Sequence, residues 1–334
     1  MSNVFHRWED VKTLQSGKMV TPHFAILQTS DICNQHCHGC AYGNLTGKFM
    51  SVERHVTAID ILTQFGVRAF DLCGGGEPLA MPGAAEIIRH CGKRGANVGL
   101  VTNGTLIKDD SLDAMAHFGT YIRVSVESAN ADEYAKYKGV PPDVFNKVVQ
   151  NVSTALSYMR SVGSKCDVGV KFGVGKSLRG QQHYEQGIEL GQKLGASRIT
   201  FKALRHEPEE LTLDEKHYEN FLLSRAIESS GAKNVKVWIV PIDSDSVPQC
   251  YLSPMHVVLD WQGNVYICCY YYFRQESHRL FNIFDDDFED KWFDPSHWEK
   301  IHAIDRSECS KVDCKFFTHH GDIEAAGNGG IYFL

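Results

Sequence analysis

Between residues 22 and 205, six short apolar runs alternate with helical patterns. A parallel sheet with helices packed over its outer face is the simplest fold that satisfies such an alternation. His23-Phe-Ala-Ile-Leu-Gln28 reads as the first strand, followed by strands at 67–72, 97–102, 120–126, 167–172 and 198–203. Helices are expected over 51–65, near 83–94, and over 109–118, 142–161 and 180–194. Ser51 reads as the N-cap of the first of these. In the helix over 142–161, Phe145, Val148, Val149, Val152, Leu156 and Met159 recur at steps of three and four, which marks a core-facing stripe. The predicted class is α/β, a sheet partly closed like a portion of a (β/α) barrel.

In such folds chemistry gathers where strands end, and the unusual residues of this chain fall there. The first strand runs into Cys33-x3-Cys37-x2-Cys40. The second ends in Gly74-Gly75-Gly76-Glu77-Pro78, the third in Asn103-Gly104, and the fourth in Ser125-Val-Glu127. Three thiolates on one loop can hold three irons of a 4Fe–4S cluster and leave the fourth open to a small molecule. A zinc site is the competing reading, but structural zinc needs four ligands, and His36 and His38 are poorly placed as neighbours of the cysteines.

After a helix at 213–230 and a strand at 235–240, the pattern changes. Cys250-x17-Cys268-x40-Cys309-x4-Cys314 supplies four more thiols, enough to close a second cluster. Residues 255–269 read as a β-hairpin with Gly263-Asn264 at the turn, and a helix is expected near 288–304. Cys268 and Cys269 are adjacent, and strand alternation turns only one of them inward. Eleven cysteines with no signal-peptide pattern point to reduced thiols, metal or redox chemistry, and a cytoplasmic protein. The formal charge of −7 comes without a long basic run, which disfavours a general nucleic-acid partner, and no apolar stretch is long enough to span a membrane.

Taken together, Cys33-x3-Cys37-x2-Cys40 and Gly74–Pro78 resemble the radical S-adenosylmethionine (radical SAM) superfamily over residues 22–205. Cys250-x12-Gly263-x4-Cys268 resembles the twitch and SPASM extensions of that superfamily, and the Gly-x4-Cys spacing favours Cys268 as the ligand. The resemblance implies a partial (β/α)6 TIM-like barrel of radical SAM type with a small C-terminal α+β iron–sulfur extension. Its expected divisions are an N-terminal extension at 1–21, the barrel at 22–243 and the auxiliary-cluster region at 244–334.

It further implies S-adenosylmethionine and two 4Fe–4S clusters as cofactors. Cys33, Cys37 and Cys40 would hold the first cluster, and Cys250, Cys268, Cys309 and Cys314 the auxiliary one. Gly74, Gly75, Gly76, Glu77, Asn103, Ser125 and Glu127 would line the S-adenosylmethionine site. The position before Cys40 is often aromatic in this superfamily and is Gly39 here; Tyr42 or Phe49 is expected to pack over the adenine instead. Gly173-Val-Gly175-Lys176-Ser177 ends like a phosphate-binding loop but has Val170 where that motif needs glycine, and reads as a loop touching S-adenosylmethionine.

Lys171, Lys202 and Arg205, with His206 behind them, are candidates for the base and substrate clamps. Cys73 and Cys166 are candidate hydrogen-atom donors, with core packing as their competing reading; Cys91 reads as a core residue. Expected outcomes are oxidation of an alcohol on a sugar, aminocyclitol or nucleoside, or epimerisation with a cysteine donor. A peptide substrate is the less favoured choice, because only about 22 residues precede the first strand and leave no room for a leader-binding domain. A one-electron reductant such as flavodoxin or ferredoxin is the expected partner. The non-catalytic alternative is an iron–sulfur carrier or sensor.

Overall fold

A computed structural model describes residues 7–40, 42, 45–204, 206–239, 249–270, 275–310, 314, 316, 317, 319–321 and 323. The chain runs α1 (Trp8–Gln15), β1 (Phe24–Leu27), α2 (Val52–Phe65), β2 (Ala69–Leu72), α3 (Ala84–Lys93), β3 (Asn97–Thr102), α4 (Asp109–Phe118) and β4 (Gly119–Glu127). It continues with α5 (Ala131–Lys138), α6 (Asp143–Ser161), β5 (Asp167–Val174), α7 (Gln181–Leu194), β6 (Arg198–Ala203), α8 (Leu213–Ser230) and β7 (Val235–Trp238). The C-terminal part adds β8 (His256–Leu259), β9 (Asn264–Tyr266), α9 (Gln275–His278), β10 (Arg279–Asn282), α10 (Phe288–Phe293), α11 (Pro295–His302) and α12 (Ser307–Ser310). Among the described residues all ten strands form one sheet, ordered β10-β9-β8-β1-β2-β3-β4-β5-β6-β7.

Strand alternation sorts the sheet into two faces. Leu27, Leu72, Leu100, Val124, Phe172 and Phe201 are buried and pack outward against the helices. Their neighbours Ile26, Asp71, Val101, Ser125, Lys171 and Lys202 therefore face the inside of the curved sheet. The helices form where expected because their termini are specified locally. Ser51 Oγ accepts from Arg54 N, and Thr212 and Glu215 close a capping box at the start of α8.

The C-terminal hairpin joins the barrel, and three local expectations need correction. β8 pairs in parallel with β1, in the register Phe24↔His256 to Leu27↔Leu259, so the C-terminal hairpin extends the barrel sheet itself. A buried edge strand needs hydrogen-bond partners, and β8 supplies them to β1. Asn264 belongs to β9 rather than the turn: Asp260 accepts Gly263 N at its carbonyl and Asn264 N at Oδ1. The helix expected near 288–304 is two helices, broken where Asp294 adopts ψ 135° before Pro295. Gly173 and Val174 continue β5, and Lys176 and Ser177 donate to Glu207, so this segment does not line the cavity described below.

Among the described residues, 7–21 pack against the rest of the fold. Val11 in α1 packs with Leu252 and Ile323, and Trp292, fully buried, donates Nε1–H to Val20 O at 2.9 Å. The 243/244 boundary lies outside the described residues. Among them, no helix is long and apolar enough to cross a membrane.

Candidate active site

At the C-terminal ends of the strands lies a cavity of about 300 Å³, within the range of small-molecule sites. Its lining includes Cys33, Cys37, Cys40, Tyr42, Gly74, Gly75, Gly76, Glu77, Asn103, Ser125, Glu127, Lys171, Lys202 and His206. Arg205 lies outside the described residues.

The cysteine loop is held from two sides. On one side it crosses the glycine run: Gly76 N donates to Ser30 O at 2.8 Å and Glu77 N to Ile32 O at 2.6 Å. The glycines are needed for that crossing. A Cβ on Gly75 would stand 2.4 Å from Ser30 O, and one on Gly76 only 1.9 Å from Ile32 O. Gly76→Ala is therefore expected to cost about 1–3 kcal/mol and displace the loop, because the obstacle is backbone. Thermal melting and iron content after anaerobic reconstitution check this; wild-type values for both would contradict it.

On the other side, α5 grips the loop. His36 N donates to Lys138 O at 2.9 Å and His38 N to Tyr137 O at 2.7 Å. Gln35 Nε2 donates to Tyr134 OH at 2.8 Å. Sequence reasoning missed α5, although its signals were present. Asn130 caps it through Oδ1, acidic residues open it, basic residues end it, and Gly139 follows in the left-handed conformation.

Glu77 is buried, and its oxygens accept from Thr102 Oγ1 at 2.6 Å, Asn103 N at 2.6 Å and Leu79 N at 3.1 Å. The side chain thus ties the glycine run to the end of β3. Burial still pushes its carboxyl above the ordinary value, against those hydrogen bonds. Asn103 bridges to the cysteine loop, with Nδ2 2.9 Å from Asn34 Oδ1 and 4.0 Å from Cys33 Sγ. Tyr42 OH accepts from Gln28 Nε2 at 2.8 Å.

Glu127 is the most constrained residue of the cavity. It ends β4 at φ 70°, a conformation non-glycine residues adopt rarely and at a cost of about 1–3 kcal/mol. It is buried with Lys171 Nζ at 2.8 Å and Lys138 Nζ at 3.7 Å from Oε1. Burial would raise its pKa, but Lys171 and then Lys138 outweigh burial and hold it below the ordinary carboxylate value. Oε2 is buried with no hydrogen-bond partner among the described residues. An acceptor left in this state beside a cavity fits a ligand that brings a hydroxyl or ammonium donor. Lys138, also buried and also missed by sequence reasoning, has its pKa raised: burial opposes the charge, and Glu127 followed by Cys37 more than offsets it.

Cys73 does not line the cavity. Like Cys269, it packs against Ile26, Val258 and Tyr266 on the inner face of the sheet. Cys166 is buried just before β5, at the opposite end of the barrel from the cysteine loop, and Cys91 is a buried residue of α3.

A second cavity brings Cys250, Cys268, Cys309 and Cys314 together, with Ile267, Ile304, Phe316 and Phe317 in its wall. Ser253 and Met255 precede β8, and Ser253 Oγ donates to Ile267 O, so this cavity sits at the N-terminal end of β1 and β8. Burial, then the neighbouring Cys314, pushes the Cys250 thiol up to about 12. Its hydrogen bond with Cys269, then burial, pushes Cys268 well up. Thiolates crowded in an apolar wall repel one another, and a cationic cluster is the group that would stabilise them. His320 adds to this shell: Nδ1 accepts from Tyr251 N at 3.1 Å, which leaves the proton on Nε2, 3.9 Å from Cys250 Sγ. Among the described residues no three His, Cys, Asp or Glu side chains converge on a single metal ion. Both thiol sets instead line cavities.

Comparison with known proteins agrees with this arrangement. Residues 27–170 match the model of the radical SAM superfamily, and residues 250–315 match that of SPASM, an iron–sulfur cluster-binding domain. A probable GTP 3′,8-cyclase of Pyrobaculum aerophilum is 29% identical over 129 residues, 38% of this chain and 41% of that protein. An AdoMet-dependent heme synthase of Methanosarcina barkeri is 26% identical over 162 residues, 48% of this chain and 44% of that protein. The chain thus spans about half or less of the curated relatives it matches. The fold is shared with SuiB of Streptococcus suis bound to its precursor peptide SuiA: TM-score 0.71, 15% identity, covering 90% of this chain and 71% of that one. The chain carries a radical SAM domain and a SPASM/twitch-type C-terminal domain, and its cofactors are S-adenosylmethionine and two iron–sulfur clusters.

Proposed function

We propose that this enzyme oxidises an alcohol carbon of a sugar, aminocyclitol or nucleoside held inside the barrel. One observation carries the reading: the two thiol sets lie at opposite ends of β1 and β8, with the inner face of the sheet between them. A substrate there sits between a radical source and an electron acceptor. When bound, S-adenosylmethionine and its cluster supply a 5′-deoxyadenosyl radical, and the auxiliary cluster accepts one electron.

In this reading Cys33, Cys37 and Cys40 hold the first cluster, and Cys250, Cys268, Cys309 and Cys314 the second. Cys268 faces that cavity while Cys269 packs on the inner wall, which supports Cys268 as the ligand. Glu127 Oε2 and Ser125 would receive ribose hydroxyls or the methionyl ammonium. Gly74–Gly76 and Asn103 shape the cofactor wall, Tyr42 covers the adenine, and Lys138 holds Glu127 charged. Oxidation breaks the carbinol C–H bond and sends the hydroxyl proton to a base. Lys202, which lines the cavity, is the candidate in its neutral form, while Lys171, held as a cation by Glu127, is a substrate clamp. The auxiliary cluster held by Cys250, Cys268, Cys309 and Cys314 would take up the electron left over as the C=O bond forms. An external one-electron reductant of the flavodoxin or ferredoxin class starts each cycle.

Epimerisation is the second reading, and the thiol of Cys73 on the inner wall favours it. Product analysis separates the two. A ketone formed alongside 5′-deoxyadenosine supports oxidation. Solvent deuterium at an inverted carbon, lost in Cys73→Ala, would overturn it in favour of epimerisation.

A further inference from the structure

The inside of the barrel has two unlike walls. On β8, β9 and β1 it is apolar, with Phe24, Ile26, Val258 and Tyr266. On β4 to β7 it is cationic. There, Ile122, Val124, Val168, Val170, Ile199 and Phe201 pack outward, so the alternating positions between them face in. The register aligns Arg123, Gly169 and Arg198 in one layer. Lys171, Thr200 and Lys236 form the next, and Gly173, Lys202 and Trp238 the one above. Neighbours within a layer are about 4.8 Å apart along the sheet.

Glycine keeps this wall clear. A Cβ on Gly99 would stand 2.4 Å from the Tyr121 ring, and one on Gly169 would meet the Arg198 backbone at 3.0 Å with Arg123 Nη1 at 3.6 Å. The Arg123 guanidinium lies over the Tyr121 ring at 4.7 Å, and Lys236 Nζ lies 4.7 Å from the Trp238 ring centre. Four cations, Arg123, Lys171, Arg198 and Lys236, share the wall with Lys202 and with two carboxylates, Asp167 and Glu127. Lys171 is taken up by Glu127. Among the described residues, Arg123, Arg198 and Lys236 make no ion pair and no side-chain hydrogen bond. Burial, then repulsion by Arg198, lowers the pKa of Arg123; burial, then Arg198 and Arg123, lowers that of Lys236. Like charges gathered on one inner wall weaken an empty fold, a penalty that proteins accept at sites for an opposite charge.

We infer that the β4–β7 wall binds an oxyanion, a phosphate or carboxylate, carried by the substrate. The inference rests on the proposed reading that the substrate occupies the barrel. Arg123 and Arg198 flank Gly169 as a pair of planar donors suited to two oxygens of one anionic group. The apolar wall opposite receives the uncharged part of the molecule.

The test uses reconstituted protein with S-adenosylmethionine bound, titrated calorimetrically at low salt with inorganic pyrophosphate and, separately, with succinate. Wild type is expected to bind at least one of them; pyrophosphate alone assigns a phosphate and succinate alone a carboxylate. Arg198→Gln/Lys236→Gln is expected to weaken binding by about tenfold or more. Its melting temperature without anion should be unchanged or raised, because repulsion is relieved. Failure of both anions to bind wild type, equal binding by the variant, or a lowered melting temperature each overturns the inference. Lys236→Gln alone, on the exposed end of the wall, is expected to weaken binding in the same direction, and equal binding by it also overturns the inference. Wild type that forms 5′-deoxyadenosine normally but binds neither anion overturns this inference alone. Wild type that forms none overturns the proposed function instead.

Discussion

Replacing Cys33, Cys37 and Cys40 together by alanine is expected to abolish 5′-deoxyadenosine formation and leave about four irons per chain where wild type holds about eight. Cys250→Ala is expected to fall to about four irons as well, but by losing the other cluster, so reductive cleavage of S-adenosylmethionine should persist. The contrast follows from where the thiols lie. The first three line the cavity with Glu127 and the glycine run, whereas Cys250 lies at the far end of β8. Iron analysis after anaerobic reconstitution and chromatography of the cleavage product read both effects. Continued cleavage by the triple variant would remove the central assignment. About four irons in wild type, unaltered by Cys250→Ala, would remove the auxiliary cluster.

Lys138→Met should destabilise the protein by about 1–3 kcal/mol even before iron is added, because Glu127 then keeps only Lys171 of its two cations in a buried site. Burial of both partners leaves little solvent screening to soften the loss. The same change loosens the grip of α5 on the cysteine loop, so iron uptake should fall with stability. Glu127→Gln combined with Lys138→Met should cost less than the two single changes added together, since neither buried charge is then left short of a partner. Strict additivity in thermal melts would show that the pair does not interact. The sign of the pH dependence is also set. Glu127 is depressed in the folded protein, so its contribution is complete above its ordinary value of 4.5 and is lost as pH falls through the lower folded value.

Much of the barrel was legible along the chain because its signals are local. Strands β3 and β6 and helices α4 and α8 begin and end where periodicity and capping residues place them. α5 was legible too, through Asn130 and Gly139, but it is short and its apolar face carries tyrosines between charges, which conceals the helical period. The break before Pro295 was equally readable from the proline rule.

The cofactor wall was legible in membership more than in role. Gly74–Gly76 do lie at the cavity, yet the space left by Gly75 and Gly76 is filled by the backbone of the cysteine loop rather than reserved for a ligand. Glu77 lies there too, with its oxygens committed to β3. Nothing in the run Gly-Gly-Gly-Glu-Pro distinguishes these roles, because they depend on a segment some forty residues away.

Periodicity and thiol spacing determined, by themselves, a parallel barrel, a three-cysteine loop at its mouth and a later group of four thiols. These are properties of neighbouring residues. Only the tertiary structure decided that β8 joins β1, that Cys268 rather than Cys269 faces the second cavity, that Lys138 reaches Glu127, and that Arg123, Arg198 and Lys236 share one wall. Each of these depends on strands or helices brought together from distant parts of the chain. Such contacts are set by the twist and register of the whole sheet and leave no pattern in the residues beside them.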